Sequence, residues 1–446
     1  MKMRNVILLL LVCCFGSLKE IDTHAAQESS KPNFILIMVD DMGRDWISCY
    51  GAEHRTPNVD RLAAQGVRFE NAWCTPICTP TRVELLTGRY PFRTGWIGHH
   101  DVPRWGGKGL DWDKYMSFAR VLKQVGYRTA IGGKWQINDF RKQPDALKKH
   151  GFDEHCVWTG YETGNAPPSD KRYWDGYLMT NGKRRVHHYG PDRINDFLVD
   201  FVHRNRDKPF LVYYPMLLTH GPHLPTPFNK DNPPTDKTGL YGGNVTYMDH
   251  LVGKLTKAVD DAGIADRTLI IFTGDNGSSA SGSINGLQIP KGKGRTNDWG
   301  VHMPFIVRAP WLSRGERVSD DLLDFTDVLP TLAELAGAPS QGIQLDGRSF
   351  VSSISGVDDG KPQREWIYSQ VMERRIIRDK QYKLDYTGAF WDLLNDPLET
   401  NDLRSSTDPK VVAARKRLSR VLNSMPQDAP APFEGYRSGK SIAGRR

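Results

Sequence analysis

Three short stretches of this sequence could do chemistry together. Cys78-Thr79-Pro80-Thr81-Arg82 puts a thiol one helical turn ahead of a cation, and Pro80 suits a first helical turn, where its missing N–H costs nothing. A helix starting near residue 78 would favour negative charge there, through its free amides and its dipole. Val39-Asp40-Asp41 and Phe272-Thr273-Gly274-Asp275-Asn276-Gly277 each end an apolar run in oxygen donors. Three carboxylates and an amide are hard ligands, suited to Ca²⁺ or Mg²⁺ rather than to a thiolate-preferring metal. An isolated Asp-Asp pair is usually a solvated turn, and a free cysteine is usually a buried small hydrophobe. The repeated strand-end context is what favours a metal site.

Those donors can meet only if the strands that carry them lie side by side. Apolar runs at 34–39, 128–131, 210–214, 269–272 and 304–307 are nearly continuous rather than alternating, the pattern of strands covered on both faces. Helix-like stretches at 58–65, 116–125, 192–205, 247–262 and 327–336 lie between them, four of them stopped by Gly66, Gly126, Gly263 and Gly337. The alternation predicts an α/β fold with a large mixed, mostly parallel sheet sandwiched by helices, in which ligands bind at the carboxyl ends of the strands. This catalytic unit is expected over 31–345. After Gly337 the texture changes, and short strands at 366–368, 375–377 and 382–386 with a helix at 409–422 predict a small C-terminal α+β subdomain over 360–424. The Pro-, Gly-, Arg- and Lys-rich stretch 425–446 reads as a flexible basic tail.

The chain has 446 residues, 25% charged and 39% hydrophobic, an average globular composition. Its formal charge of +8 points to an anionic partner. No nucleic-acid-binding motif accompanies that charge. Lys2 and Arg4 precede the apolar run 6–12, and Thr23-His24-Ala25 offers small residues for cleavage, so 1–25 reads as an export signal and the mature protein as periplasmic or secreted. The apolar run is shorter than the ~20 residues of a bilayer-spanning helix. Beyond the signal, Cys49, Cys74, Cys78 and Cys156 are too few and scattered for a disulfide scaffold.

Cys78-Thr79-Pro80-Thr81-Arg82, continuing to Leu86-Thr87-Gly88-Arg89, closely resembles the signature of type I sulfatases, within the alkaline phosphatase superfamily. The resemblance runs in register from Asn33 to about Leu403. It implies a fold of that superfamily's kind and a cysteine oxidised to formylglycine (3-oxoalanine) by a formylglycine-generating or anaerobic sulfatase-maturating enzyme. It implies one Ca²⁺ held by Asp40, Asp41, Asp275, Asn276 and the modified Cys78, with Arg82 holding the formylglycine. Gly133-Lys134-Trp135, Thr219-His220-Gly221-Pro222-His223 and Lys291-Gly292-Lys293-Gly294 put Lys134, His223 and Lys293 on sulfate-binding or proton-donating positions.

The family's pattern is broken in two places: Thr81 stands where Ser is commoner, and Gln136 where the family usually has a histidine. That histidine is thought to take a proton during turnover, which glutamine cannot do near neutral pH. His220 or another nearby group is expected to substitute. Gln136, His100, Arg104, Trp158 and Arg172 are the expected substrate contacts, and a sulfated polysaccharide or oligosaccharide is the expected substrate. The alternatives are a phosphomonoester or phosphonate hydrolase of the same superfamily, and a sulfoglycan-binding protein that has lost activity.

Overall fold

The computed structural model describes residues 31–436 apart from 159, 161–171, 314 and 363. The export signal and the last ten residues of the basic tail lie outside the described residues.

A ten-stranded sheet forms the centre, in the order β12-β2-β11-β8-β1-β7-β3-β4-β5-β6. Its strands are β1 (Asn33–Val39), β2 (Val67–Trp73), β3 (Arg128–Lys134), β4 (Glu154–Trp158), β5 (Trp174–Thr180), β6 (Lys183–Tyr189), β7 (Phe210–Pro215), β8 (Thr268–Gly274), β11 (Phe305–Arg308) and β12 (Arg317–Asp324). β1 pairs in parallel with both β7 and β8, and β3 pairs in parallel with β7 and β4. β11 runs antiparallel between β8 and β2. The carboxyl ends of β1, β2, β3, β7 and β8 therefore share one edge.

Each apolar run became a central strand because both faces are covered. Phe34, Leu36 and Met38 enter one core and Ile35, Ile37 and Val39 the other. α2 (Cys78–Thr87), α3 (Phe118–Lys123) and α6 (Val328–Ala336) cover the first face; α1 (Pro57–Ala64), α4 (Gly190–Arg204) and α5 (Lys237–Asp261) cover the second. α5 begins ten residues before its periodicity suggests. Its glycines do not interrupt it: Gly242 packs under Trp46 and His54, and the Asp236 carboxylate caps the helix by accepting from Gly239 N at 2.9 Å. β5 and β6 escape a reading by apolar runs because they form a half-exposed hairpin rich in Lys and Arg.

A two-stranded hairpin, β9 (Gly282–Ile284) and β10 (Leu287–Ile289), leads into the loop that carries Lys293. The C-terminal sheet is antiparallel, β13 (Ile367–Val371), β14 (Arg374–Arg378), β15 (Tyr382–Asp385) and β16 (Phe390–Asp392), with α7 (Pro409–Ser424) packed on it. It backs directly onto the site: Ser369 Oγ donates to Cys74 O at 2.7 Å, and Val371 packs on Ile77 and Cys78.

The tail reading needs correction for residues 425–436. They bind back onto the catalytic unit, where the Tyr436 hydroxyl lies 2.8 Å from Gly98 O and 2.9 Å from Gly98 N, and Ala429 N donates to Phe92 O. Composition suggested mobility, but Phe433 and Tyr436 supply aromatic surface that Trp96 and His100 bury.

Candidate active site

The shared strand edge gathers the chemistry-bearing residues. β1 delivers Asp40 and Asp41, β8 Asp275 and Asn276, β3 Lys134, the turn after β7 His220 and His223, and α2 Cys78 and Arg82. Two backbone features make this possible. Asp41 adopts a left-handed conformation at φ 63°, a strained choice for a non-glycine that turns the chain within the site. Gly133, at φ 131°, must be glycine, since a Cβ there would lie 1.8 Å from Pro215 O; this lets β3 approach β7 just before Lys134.

Cys78 opens α2 and is fully buried, after an extended Ile77. Around it lies a ring of alternating charges. Lys134 Nζ donates to both Asp40 oxygens at 2.7 and 3.1 Å, and Lys293 Nζ donates to Asp41 Oδ2 at 2.5 Å. Arg82 Nη2 donates to Asp275 Oδ2 at 2.6 Å and lies 3.6 Å from Asp40. Asp275 Oδ1 accepts from Asp41 N, and Asn276 Nδ2 donates to Asp41 Oδ1, both at 2.9 Å.

Burial would push all three carboxyls up, and the neighbouring cations decide which stay ionised. Lys134, helped by His220 and Arg82, reverses the effect at Asp40 and holds it at about 2. Lys293 and Lys134 do the same for Asp41, which is lowered. Asp275 is raised, by burial and then by the nearby Asp40 charge. The site thus holds two firmly ionised carboxylates beside one that resists ionisation.

The donor set fits a hard divalent cation. Asp40, Cys78 and Asp275 offer atoms all within 4.8 Å of one another, as do Asp40, Asp41 and His220. Asn276 Oδ1 is buried with no hydrogen-bond partner, an acceptor that a cation would satisfy.

The structure brings most of the expected residues together. Gln136 is buried, with Nε2 3.6 Å from Cys78 Sγ and hydrogen-bonded to Thr79 Oγ1. His223 Nε2 lies 3.3 Å from Ser279 Oγ, with its ring edge-on to Tyr241. His220 faces Asp41, at 3.7 Å, rather than Cys78. His100 is turned away into an aromatic cage of Trp105, Phe433 and Tyr436, and Arg104 lies exposed over Trp105. Trp158 and Arg172 are both buried, stacked on each other.

His99 is the residue that sequence reasoning passed over. Its Nδ1 lies 3.5 Å from Cys78 Sγ and 3.0 Å from Thr79 Oγ1, and burial pushes its pKa down to about 4. The only signal was its place in the basic and aromatic run His99–Trp105. Twenty-one residues of sequence separate it from Cys78, and only the tertiary path of the chain closes that gap.

The Sulfatase family model matches residues 32–338. Steryl-sulfatase of Mus musculus is 30% identical over 429 residues, spanning 76% of this chain and 67% of its own. Arylsulfatase A of Homo sapiens is 31% identical over 387 residues, spanning 80% and 75%. Among solved structures, Ps i-CgsB in complex with k-i-k-neocarrahexaose is similar with a TM-score of 0.75 at 26% identity, covering 90% of this chain and 94% of that one. The family match, the shared length and the shared fold place this chain in the type I sulfatase family of the alkaline phosphatase superfamily, as a sulfuric ester hydrolase.

Proposed function

We propose that this enzyme removes sulfate from a sulfated polysaccharide or oligosaccharide, using a formylglycine made from Cys78 and one Ca²⁺ held by Asp40, Asp41, Asp275 and Asn276. The observation that carries this reading is the Cys-x-Pro-x-Arg core at the start of α2, its Sγ grouped with the carboxylates of Asp40 and Asp275. The modified side chain would supply an oxygen nucleophile for sulfur, and the cation would concentrate positive charge beside it.

The chain's own residues do the rest. Arg82 fixes Asp275 and keeps a permanent charge behind residue 78. Lys134 and Lys293 bind Asp40 and Asp41, and their ammonium groups would hold sulfate oxygens as charge moves to the leaving oxygen if those carboxylates held a divalent cation. His223, lowered chiefly by burial, gains proton affinity when an anionic ester arrives, and so suits donation to the departing alcohol. Gln136 orients by hydrogen bonding alone, whereas His99 can accept a proton beside residue 78.

The glycan preference rests on the +8 charge and on the similar structure that holds k-i-k-neocarrahexaose. Export guided by 1–25, to the periplasm or beyond, would bring the enzyme to such a substrate. No helix among the described residues is long and apolar enough to cross a membrane. Maturation requires a formylglycine-generating or anaerobic sulfatase-maturating partner.

Mass spectrometry of the Cys78 peptide, after co-expression with a formylglycine-generating enzyme, tests the nucleophile: an aldehyde is expected, and an intact thiol overturns the proposal. Sulfate release from a panel of sulfated glycans should vanish in Cys78→Ala. Equal release by both proteins would reject catalysis at this site.

A further inference from the structure

Arg172 is a buried cation stacked on an indole ring. It is 8% exposed, and its Nε and Nη1 are buried with no hydrogen-bond partner among the described residues. Neither of these atoms meets a carboxylate among the described residues. Its guanidinium lies over the Trp158 ring at 4.3 Å, and the Trp158 indole N–H is likewise buried and unpaired. A buried charge with unsatisfied donors is costly unless an anion completes it, so this arrangement is a site built for one.

Its place in the fold says where that anion comes from. Trp158 closes β4 directly opposite Lys134 on β3, and Trp158 O accepts from Trp135 N at 3.4 Å. On the other side, the Tyr173 hydroxyl donates to Leu217 O at 3.1 Å and to His220 O, tying the chain at Arg172 to the His220 turn. Arg172 and its indole are thus joined to the strand end that carries Lys134 and to the turn that carries His220, while Lys134, Lys293 and Arg82 already serve the reacting centre.

We propose that Arg172, stacked on Trp158, binds a second oxyanion of the substrate, a sulfate or carboxylate on the same or the adjoining sugar, and so selects multiply charged glycans. This deepens the glycan reading above and rests on it. Guanidinium suits the task because it offers paired donors to a planar or tetrahedral oxyanion while its face remains on the indole.

Three disaccharides test it: one disulfated, one monosulfated with a uronate, and one monosulfated and otherwise neutral. Arg172→Gln should lower kcat/KM for a doubly charged substrate relative to the neutral-sugar one by about tenfold to a hundredfold. Loss confined to the disulfated substrate identifies sulfate as the second anion, and loss confined to the uronate identifies carboxylate. A proportional loss on all three overturns the proposal, since Arg172 would then serve the scissile sulfate. Calorimetric binding of the same disaccharides to Cys78→Ala, with and without Arg172→Gln, reads the subsite without turnover, so it stands or falls separately from the proposed activity. Arg172→Lys guards against misfolding: it should retain part of the selectivity, and a folded Lys variant that loses binding in proportion on all three ligands would also overturn it.

Discussion

Two buried ionic groups in this molecule behave in opposite ways. Behind the C-terminal sheet, Lys383 and Glu399 form a one-to-one ion pair at 2.6 Å, each side chain 1% exposed. Burial wins there: the lysine is lowered and the glutamate raised, so each is pushed toward neutrality despite its partner. At the strand edge, burial is as complete, yet Asp40 and Asp41 are driven further into ionisation, because each is met by more than one cation. A one-to-one pair fastens one element to another. In the cluster the neighbouring cations keep Asp40 and Asp41 charged while Asp275, beside the Asp40 charge, is raised, and two charged carboxylates are what binding a metal requires.

Breaking the cluster should have the largest effect. Asp40→Asn is expected to lower sulfate release by about a hundredfold to a thousandfold and to abolish the rise in Tm on adding Ca²⁺. A variant that keeps both would mean Asp40 is structural. Lys383→Met should show the reverse pattern, losing about 3 kcal/mol of stability in urea unfolding while the kcat of the folded enzyme is kept. The loss falls at the low end because Asp298 N and Asn297 Nδ2 still bind Glu399. Adding Glu399→Leu should restore most of it; a kcat defect in Lys383→Met would blur the contrast between the two groups.

His99→Asn sharpens the question of what replaces the family histidine. We expect kcat to fall by about a hundredfold, with partial rescue on adding Gln136→His. Wild-type kcat in the single variant would clear His99 of any part in turnover.

The smallest effect concerns Asp45, a carboxyl behind the site with no cation of its own. Its Oδ1 accepts from Ser278 Oγ at 2.8 Å, its Oδ2 has no partner, and burial pushes its pKa up to about 7. A folded pKa above the unfolded one stabilises the protein at low pH, and that contribution is lost as pH rises toward 7. The Tm advantage of Asp45→Asn over the parent should therefore widen from pH 4 to pH 7 and level off above. A gap that stays constant across that range would show that Asp45 ionises normally.

The central strands were legible in the sequence, because runs such as 34–39 and 269–272 have no polar face and must be covered on both sides. So were the strand-end donors and the Cys78–Arg82 helix start, since these are local patterns with local causes. Only the tertiary structure decided which histidine meets Cys78, because His99 returns across α2 on a loop held by Tyr436, more than three hundred residues further on. It alone turned His100 inward, brought residues 425–436 back onto the catalytic unit, and stacked the buried Arg172 on Trp158. Those outcomes depend on contacts between distant segments, where packing and charge are settled by neighbours that a single stretch of sequence does not contain.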